Sequence, residues 1–351
     1  MRGFKTIKKQ PTQPQSQPQY EVADVLNKLG SKLEDLGLNS WQLRTLFALK
    51  KCRTSALGGH IDACDECGNI SISYNSCRNR HCPKCQGRNR EDWIQTRETE
   101  LLPVPYFHVV FTLPEVLNKT ALHEPKMLYD ILFESAWETL QTFGKNKNLQ
   151  MGMIAVLHTW GQNLSLHPHL HCIVPGGGVD ENGAWKNIKN DGKFLFSVKA
   201  LSKVFRAKFC EKLKANLKDK FNENQENEYE KIRQSLWEKP WVVYAKKPFG
   251  SPKSVVEYLG RYTHKIAISN GRIRGIDDKT VTFDYKDYRQ KGIKKQMVLS
   301  HEEFIRRFAM HILPKRFVKI RHYGFLSSTW KRIKLKNLQQ KLGIQPKEKP
   351  L

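Results

Sequence analysis

The amino-acid sequence predicts an α+β fold that is preceded by a small helical and metal-binding module. Short segments rich in aromatic and β-branched residues alternate with longer amphipathic segments, which indicates strands between helices. Two strand-like segments, 152–160 and 169–174, lie close enough along the chain to pair as a hairpin. Six of the eight cysteines crowd between Cys52 and Cys85. The 351 residues suggest two to three domains and can bury a core without disulfides.

The elements follow from hydrophobic periodicity. From Val22 to Leu36 apolar residues recur at steps of three and four, as in an amphipathic helix. The segment 106–113, YFHVVFTL, is bounded by prolines and reads as a strand. The remaining expected helices are 40–50, a helix ending near 100, 125–142, 198–217, 252–264 and 302–310. The remaining expected strands are 241–245, 265–269, 280–285 and 294–299, and the polar run 222–231 is expected as a loop or a solvated helix end.

The composition divides the chain into four expected segments. Residues 10–19 contain only Gln, Pro, Ser and Thr, so 1–20 is expected to be a disordered leader. Residues 21–100 are expected to form a helical and cysteine-rich module, 101–330 the larger domain, and 331–351 a basic tail.

The charge predicts a polyanionic partner. Lys and Arg number 60 against 34 Asp and Glu, a formal net charge of +26, and nucleic acid is the usual partner of such a chain. The mean hydropathy of −0.60 and the lack of a long apolar run exclude an integral membrane protein. No apolar stretch follows the first ten residues, so a secretory signal is not expected. We therefore expect a cytoplasmic protein, which in a bacterium would associate with the nucleoid when it binds DNA.

The cysteine spacing predicts a structural zinc site. Cys64-x2-Cys67 and Cys82-x2-Cys85 are separated by 14 residues, close to the paired-knuckle spacing of tetrahedral zinc. Four further N or S ligands remain nearby, either for a second zinc or as groups that support the first: Cys52, His60, Cys77 and His81.

Basic residues decorate the same module. They exceed the acids available to pair with them, as expected of a surface that contacts phosphates, although a merely solvated basic face is the alternative. The candidates for DNA contact are Arg78, Arg80, Lys84, Arg88 and Arg90.

A histidine-rich strand predicts a second metal centre. Because side chains alternate along a strand, His169 and His171 share one face and can bind one cation, and His167 precedes them in the same register. His158, on the expected neighbouring strand, is a possible further ligand. A site with only two or three protein nitrogens leaves positions for phosphate oxygens, which suits a catalytic ion.

Two tyrosines lie four residues apart on an expected helix. Tyr258 and Tyr262 therefore project from one face, either as core anchors or as functional phenols. Arg261, His264 and Lys265 are charged or polar where a core helix would be apolar, which favours function and makes Arg261 and Lys265 candidates for DNA contact. A phenol has a pKa near 10 and needs a phosphate that is already polarised by a metal before it can attack.

Three segments, in this order, resemble a known family: CDECGNISISYNSCRNRHCPKC, HPHLHCIVPGGG and YLGRYTHKIAISNGRI. They are similar to the bacterial rolling-circle transposases of the insertion-sequence ninety-one type, two-tyrosine members of the HUH (His-hydrophobic-His) endonucleases. The resemblance covers about 36–330. It implies that His169 and His171, with Leu170 between them, bind Mg²⁺ or Mn²⁺ and that Tyr258 and Tyr262 are the nucleophiles.

The resemblance also implies the fold and the reaction. The fold would be a central antiparallel sheet flanked by helices, within a catalytic domain at 101–330. One tyrosine would attack a phosphodiester in single-stranded DNA at the element's end, forming a 5′-phosphotyrosine and releasing a 3′-hydroxyl without ATP. The resemblance leaves the order of the tyrosines, the third metal ligand and the oligomeric state open.

Two other classes fit part of the sequence. The alternating His-x-His-x-His pattern also occurs in histidine-triad nucleotide hydrolases, where a histidine is the nucleophile, but a zinc module and a charge of +26 have no role there. A zinc-dependent nucleic-acid binder without catalysis explains the charge and the cysteines but not the histidine strand or the tyrosine pair.

Overall fold

The computed structural model describes residues 18–188, 194–217, 223–246, 249 and 252–344. The expected disordered leader lies outside this part of the chain except for its last three residues, and 345–351 of the expected basic tail lie outside it as well.

The chain contains both helices and strands. The helices are α1 (Val22–Leu29), α2 (Ser40–Lys50), α3 (Gln86–Glu98), α4 (Asn118–His123), α5 (Pro125–Lys145), α6 (Val198–Leu217), α7 (Glu223–Glu238), α8 (Pro252–Thr263), α9 (His301–Ala309), α10 (Ser328–Trp330) and α11 (Lys336–Lys341), the last two joined by a π-helical turn, Lys331–Leu335. The strands are β1 (Gly59–Ala63), β2 (Ile70–Tyr74), β3 (Tyr106–Thr112), β4 (Gly152–Trp160), β5 (Leu166–Pro175), β6 (Gly177–Val179), β7 (Trp185–Asn187), β8 (Val243–Lys246), β9 (Ile273–Ile276), β10 (Thr280–Asp287), β11 (Ile293–Ser300) and β12 (Ile320–Gly324).

A five-stranded sheet forms the centre of the molecule, in the order β12-β4-β5-β3-β8. Every neighbouring pair in it is antiparallel. The expected α+β fold with a central antiparallel sheet is therefore confirmed. In the central pair, His158 of β4 lies opposite His169 of β5.

The two faces of this sheet have different roles because side chains alternate along each strand. On one face Phe111 of β3, Leu157 of β4 and Leu170 of β5 are fully buried in a core that α5 and α6 complete with Phe133 and Phe205. The other face carries the polar residues of the same strands, the histidines among them, and α8 packs over it.

The N-terminal helices share a second core with the segment that follows α8. Leu26 and Leu46 pack in one cluster with Phe283 of β10 and Phe304 of α9. The start of α2 is fixed by Asn39, whose side chain accepts a hydrogen bond from the backbone N–H of Gln42 in a capping box. The cysteine-rich module is therefore joined to the rest of the protein through an apolar interface.

Side chains strengthen the same interface by binding backbone carbonyls. Trp41 Nε1 donates to the carbonyl of Leu313 at 3.0 Å, and the guanidinium of Arg80 donates to the carbonyls of Pro314 and Phe317. These bonds fix the module relative to the chain that leads into β12.

Several segments differ from the sequence expectation, among them 22–36, where α1 ends at Leu29 and a 3₁₀ helix, Gly30–Leu36, follows. Residues 265–269 form no strand and lead into a 3₁₀ turn at Asn270–Arg272. The polar run 222–231 is helical from Glu223, and β12, which periodicity did not indicate, pairs with β4 at the sheet edge. Among the helices of the described ranges, none has both the length and the apolar character needed to cross a membrane.

Candidate active site

Three histidines converge on the face of the sheet that α8 covers. His158 of β4 and His169 and His171 of β5 each offer a ring nitrogen, and these atoms all lie within 4.8 Å of one another. The two Nε2 atoms of His169 and His171 are 3.2 Å apart. The strand pairing brings His158 to the position next to His169. The three nitrogens are thus close enough to bind a single cation.

The hydrogen bonds of the outer ring nitrogens fit this set to a cation. The Nδ1–H of His169 donates to the carbonyl of His167 at 2.7 Å, which leaves Nε2 with a lone pair. The Nε2–H of His158 donates to the carbonyl of Tyr262 at 2.7 Å, which leaves Nδ1 free to bind. Such bonds to the second nitrogen are typical of histidines that bind metals, because they fix tautomer and ring orientation.

Burial keeps these imidazoles neutral. It lowers the pKa of His169 to about 4, and it lowers the pKa of His158 and of His171 well below their usual range, with the neighbouring histidines adding to the effect. Neutral imidazole is the form that binds a divalent ion, so the donor set is ready for one at physiological pH.

Both tyrosines face this histidine set from α8. The Tyr262 ring lies 4.4 Å from the His171 ring, centroid to centroid. The Oη of Tyr262 donates to the Oη of Tyr258 at 3.1 Å, as the four-residue spacing on one helix allows. The structure therefore brings His158, His169, His171 and the two phenols together, although they come from three separate elements.

His108 is a site residue that sequence reasoning missed. It lies in β3, 4% exposed, with Nε2 2.8 Å from His171 Nδ1 and Nδ1 3.5 Å from Tyr258 Oη. Burial, with a smaller effect from Lys246, lowers the pKa of His108 to about 4. A lone histidine in an apolar strand gives no signal by itself, and its role depends on the pairing of β3 with β5.

Two lysines lie beside the phenols, and a third contacts the backbone of one of these two lysines. Lys246 Nζ lies 5.5 Å from the centroid of the Tyr258 ring, and Lys265 Nζ lies 5.5 Å from that of Tyr262. Lys319 Nζ donates to the carbonyl of Lys265 at 2.8 Å, and burial lowers the pKa of Lys319 to about 7. The site is therefore electropositive around a neutral histidine set, as an anionic substrate requires.

A basic cleft of about 220 Å³ lies between α3 and the segment after α8. Its lining includes Arg90, His264, Lys265 and Arg272. Arg90 of α3 and Lys265, which follows α8, were both expected to contact DNA. They line the same cleft although they are far apart in the sequence.

The cysteines are grouped differently from what the spacing suggested. The cluster consists of Cys52, Cys77, Cys82 and Cys85, all half-buried or buried, with the Sγ atoms of Cys52 and Cys85 3.5 Å apart. Cys77 Sγ is 3.7 Å from Cys85 Sγ.

Cys64 and Cys67, expected to share a zinc with Cys82 and Cys85, are exposed and stand outside this cluster. The reason is packing. Cys64 and Cys67 lie between β1 and β2, at the tip of an exposed hairpin, whereas Cys52 follows α2 and is held in the second core.

The cysteine cluster has the chemistry of a zinc site. A hydrogen bond from Cys82 lowers the pKa of Cys77 to about 5, while the pKa of Cys82 is raised by its bond to Cys77 and by burial. Burial raises the pKa of Cys52 to about 11. Thiols this close cannot all ionise unless a cation compensates them, and four thiolates are a common ligand set of structural zinc.

The remaining candidate metal ligands lie apart from both centres. His60 is exposed, with Nε2 3.6 Å from Asp62 Oδ2. His81 is deeply enclosed, which lowers its pKa to about 3, and its Nε2 has no hydrogen-bond partner among the described residues. His167 contributes its carbonyl to His169 while its own ring remains outside the three-histidine set.

The other candidate DNA contacts of the cysteine module are placed differently from one another. Arg78 is exposed, whereas Arg80 is bound to backbone carbonyls and Lys84 pairs with Glu21 at 2.5 Å. The side chains of Arg88 and Arg261 lie outside the part of the chain that the structure describes.

Comparison with known proteins relates the chain to transposases. Residues 152–333 match the family described as "Putative transposase", and residues 24–113 match the "Transposase zinc-binding domain". The chain is 43% identical over 337 residues to "Putative transposase y4qJ" of Sinorhizobium fredii, covering 92% of this chain and 84% of that protein. It is 29% identical over 306 residues to the "Transposase for insertion sequence element IS801" of Pseudomonas savastanoi pv. phaseolicola, covering 84% of this chain and 73% of that one. No solved structure matches the chain.

This α+β protein has a basic, histidine-lined site and a cysteine cluster, and its relatives are transposases. The chain belongs to the transposase family of the insertion-sequence ninety-one type, with that family's zinc-binding domain. Its function is transposition, which acts on DNA by cleavage and strand transfer. The cysteine cluster and the domain match together indicate a structural zinc.

Proposed function

We propose that this transposase cleaves and rejoins single-stranded DNA at the ends of its insertion sequence through a 5′-phosphotyrosine intermediate, in a rolling-circle-like reaction of the HUH type. The observation that carries the proposal is the contact of Tyr262 with His171, whose ring centroids are 4.4 Å apart. A phenol beside a set of neutral imidazoles is the arrangement that tyrosine attack on a metal-bound phosphate requires.

The histidines would hold the catalytic ion. His169 and His171 would bind Mg²⁺ or Mn²⁺ through Nε2, and His158 would be the third ligand through Nδ1, because its Nε2 is occupied by the carbonyl of Tyr262. When bound, the ion supplies positive charge to the nonbridging oxygens of the scissile phosphate. The carbonyls of His167 and Tyr262 keep the outer hydrogens in place, so the ligand nitrogens stay aimed at one point.

The reaction conserves bond energy. A tyrosine Oη forms a bond to the phosphorus while the bond from phosphorus to the 3′-oxygen breaks, and the phenol proton leaves to solvent as the 3′-oxygen takes one up. One phosphodiester replaces another, so no ATP is needed. The second tyrosine, 3.1 Å away at its Oη, can accept a strand in a later transesterification.

The lysines and the cleft would bind the DNA strand. Lys246 and Lys265 lie beside the phenols, where they can neutralise phosphates next to the scissile one. The cleft that holds Arg90 and Arg272 is also lined by Lys265, which lies beside the Tyr262 ring. A DNA strand in this cleft would contact both the cysteine module at 21–100 and the catalytic domain at 101–330.

The cysteine module would be held in shape by one zinc. Its ligands would be Cys52, Cys77, Cys82 and Cys85, since these thiols are the ones that meet. Because Arg80 and Trp41 tie this module to the chain before β12, a zinc there would also stabilise the position of the DNA cleft.

A covalent adduct tests the proposal. Purified protein incubated with single-stranded DNA that spans an element end, in the presence of Mn²⁺, should give a slower band that survives boiling in detergent. Tyr258→Phe/Tyr262→Phe should abolish both the band and strand cleavage, because no phenol remains in the site. The matched control is Tyr288→Phe, a tyrosine that is 70% exposed, which should leave both unchanged.

Two results would contradict the proposal. Normal cleavage by the double variant would exclude tyrosine attack and would favour a histidine nucleophile, as in the histidine-triad hydrolases. Tight binding of the strand without cleavage under any divalent ion would leave a zinc-dependent DNA binder.

A further inference from the structure

We propose that His108 is a positioning residue that assigns the first strand cleavage to Tyr258, with Tyr262 reserved for the later transfer. This inference rests on the proposed function, and it names which of two equivalent-looking phenols acts first. It depends on the direction of each hydrogen bond between the histidine set and the tyrosines.

The place of His171 in the ligand set fixes which of its ring nitrogens carries the hydrogen. Its Nε2 lies 3.2 Å from the Nε2 of His169 and belongs to the ligand set, so this nitrogen must carry a lone pair. Neutral His171 then carries its hydrogen on Nδ1, and that hydrogen donates to His108 Nε2 at 2.8 Å. The opposite assignment would place a hydrogen on His171 Nε2, where it would block the ion.

The tautomer of His108 follows from that of His171. Because His108 Nε2 accepts, its hydrogen is on Nδ1, and Nδ1 lies 3.5 Å from Tyr258 Oη. The distance is long, as is common for catalytic hydrogen bonds before substrate binds. His108 therefore presents a donor to the oxygen of Tyr258 and links that oxygen to a ligand of the ion.

The second donor comes from Tyr262. Its Oη donates to Tyr258 Oη at 3.1 Å, so the oxygen of Tyr258 accepts from both sides. A phenol oxygen that accepts two hydrogen bonds is stabilised as the phenolate, which is the attacking form. Tyr262 is the donor in this pair, so the arrangement favours Tyr258 as the first nucleophile.

The packing around His108 makes it a rigid support. Its ring lies edge to edge and nearly coplanar with that of His171, with centroids 5.0 Å apart and planes 10° from parallel. Its strand, β3, is paired on both sides, and Lys246 lies opposite His108 in β8. Lys246 also lies over the Tyr258 ring, so the supports of Tyr258 come from the sheet itself.

Mapping the first adduct tests the order of attack. The protein is mixed with single-stranded element-end DNA and Mn²⁺, quenched within the first turnover and digested with trypsin, and the peptide that carries the DNA is identified by mass spectrometry. The DNA should be on Tyr258. Tyr262→Phe should reduce the rate of first cleavage by no more than about tenfold, because only one hydrogen-bond donor to Tyr258 is lost. Tyr258→Phe should reduce that rate by at least about 100-fold.

Two substitutions at His108 separate its two contacts. His108→Asn keeps a hydrogen-bond donor near the Nδ1 position, next to Tyr258. His108→Gln keeps a polar group near the Nε2 position, next to His171, and loses the donor to Tyr258. Attack by Tyr258 should therefore be retained better in His108→Asn than in His108→Gln. His108→Gln should shift the adduct from Tyr258 towards Tyr262, a change that general loss of structure would not produce. The matched control is His123→Gln, an exposed histidine at the end of α4, which should not change the adduct ratio.

The outcomes are distinct. A first adduct on Tyr262, or equal adducts on both tyrosines in the unmodified protein, would overturn the inference while the proposed function stands. An absence of adduct on either tyrosine would overturn the proposed function. Mapping in the unmodified protein decides the order even if one His108 variant fails to fold, and an unchanged adduct ratio in a folded His108→Gln or His108→Asn would overturn the role of His108.

Discussion

The Tyr262 ring lies against the His171 ring at a centroid distance of 4.4 Å, so α8 and β5 meet directly. The backbone of the same tyrosine accepts the hydrogen bond that fixes His158. Tyr262 thus touches the histidine set through both its side chain and its carbonyl. A displacement of α8 would disturb the metal ligands and the phenols together.

Removing a cysteine from the buried cluster should release zinc. Cys52→Ser should yield less than one zinc per chain and a lower melting temperature, because three thiolates no longer close the shell. Cys64→Ser, at the exposed hairpin tip, should keep both zinc content and stability. Elemental analysis and thermal unfolding measure the two effects. Loss of zinc in Cys64→Ser with retention in Cys52→Ser would restore the grouping that the spacing suggested.

The contact of α8 with α3 depends on Gly260. A Cβ at this position would lie 2.3 Å from Ile94 Cδ1. Gly260→Ala should lower the free energy of unfolding by about 1–3 kcal/mol, because overpacking exceeds the gain in helix propensity of about 1 kcal/mol. Gly260→Ala/Ile94→Ala should recover part of the loss, with a coupling energy of about 1 kcal/mol.

Chemical denaturation measures this coupling, and Gly271→Ala is the control because a Cβ there meets nothing within 4 Å. Strict additivity of Gly260→Ala and Ile94→Ala would show that the two helices do not touch at this point.

Stability should fall in acid partly because of His311. This side chain is 3% exposed, its Nδ1 is 3.1 Å from Thr159 Oγ1, and its Nε2 is 3.1 Å from the Leu164 carbonyl. Burial lowers the pKa of His311 to about 4. In the unfolded chain the pKa of this histidine is near 6.5, so as the pH falls the unfolded state binds the proton first. The contribution of neutral His311 to the free energy of unfolding is therefore fully present above about pH 6.5 and is lost as the pH falls towards 4.

The loss from this one histidine should be about 3 kcal/mol over that interval. His311→Gln should make the dependence of the unfolding free energy on pH shallower between pH 4 and 6.5, and the exposed His123→Gln should not. Identical slopes in His311→Gln and the unmodified protein would show that His311 is not held neutral.

The sequence predicted those parts of the site that depend on local periodicity. Alternation along one strand placed His169 and His171 on one face, and the four-residue spacing placed Tyr258 and Tyr262 on one side of a helix. These patterns need no knowledge of which elements meet. The central antiparallel sheet, in contrast, was implied by the family resemblance, and the order of helices and strands agreed with it.

The parts that depend on contacts between distant elements could not be predicted. His108 acquires its role because β3 pairs with β5, and nothing in the residues around it distinguishes it from a core histidine. Cys52 enters the cysteine cluster because the end of α2 packs into the second core. The spacing of Cys64 and Cys67 suggested a closed zinc site, but that spacing describes a turn and not its surroundings.

A sulfur substitution at the scissile phosphate tests the central claim most directly, because it asks whether the ion held by the histidines touches the phosphate that tyrosine attacks. Replacing one nonbridging oxygen with sulfur should slow Mg²⁺-supported adduct formation by at least about tenfold, and a softer ion such as Mn²⁺ or Cd²⁺ should restore it. The account predicts this rescue for one of the two sulfur isomers. Equal rates for oxygen and sulfur substrates under every ion would contradict it.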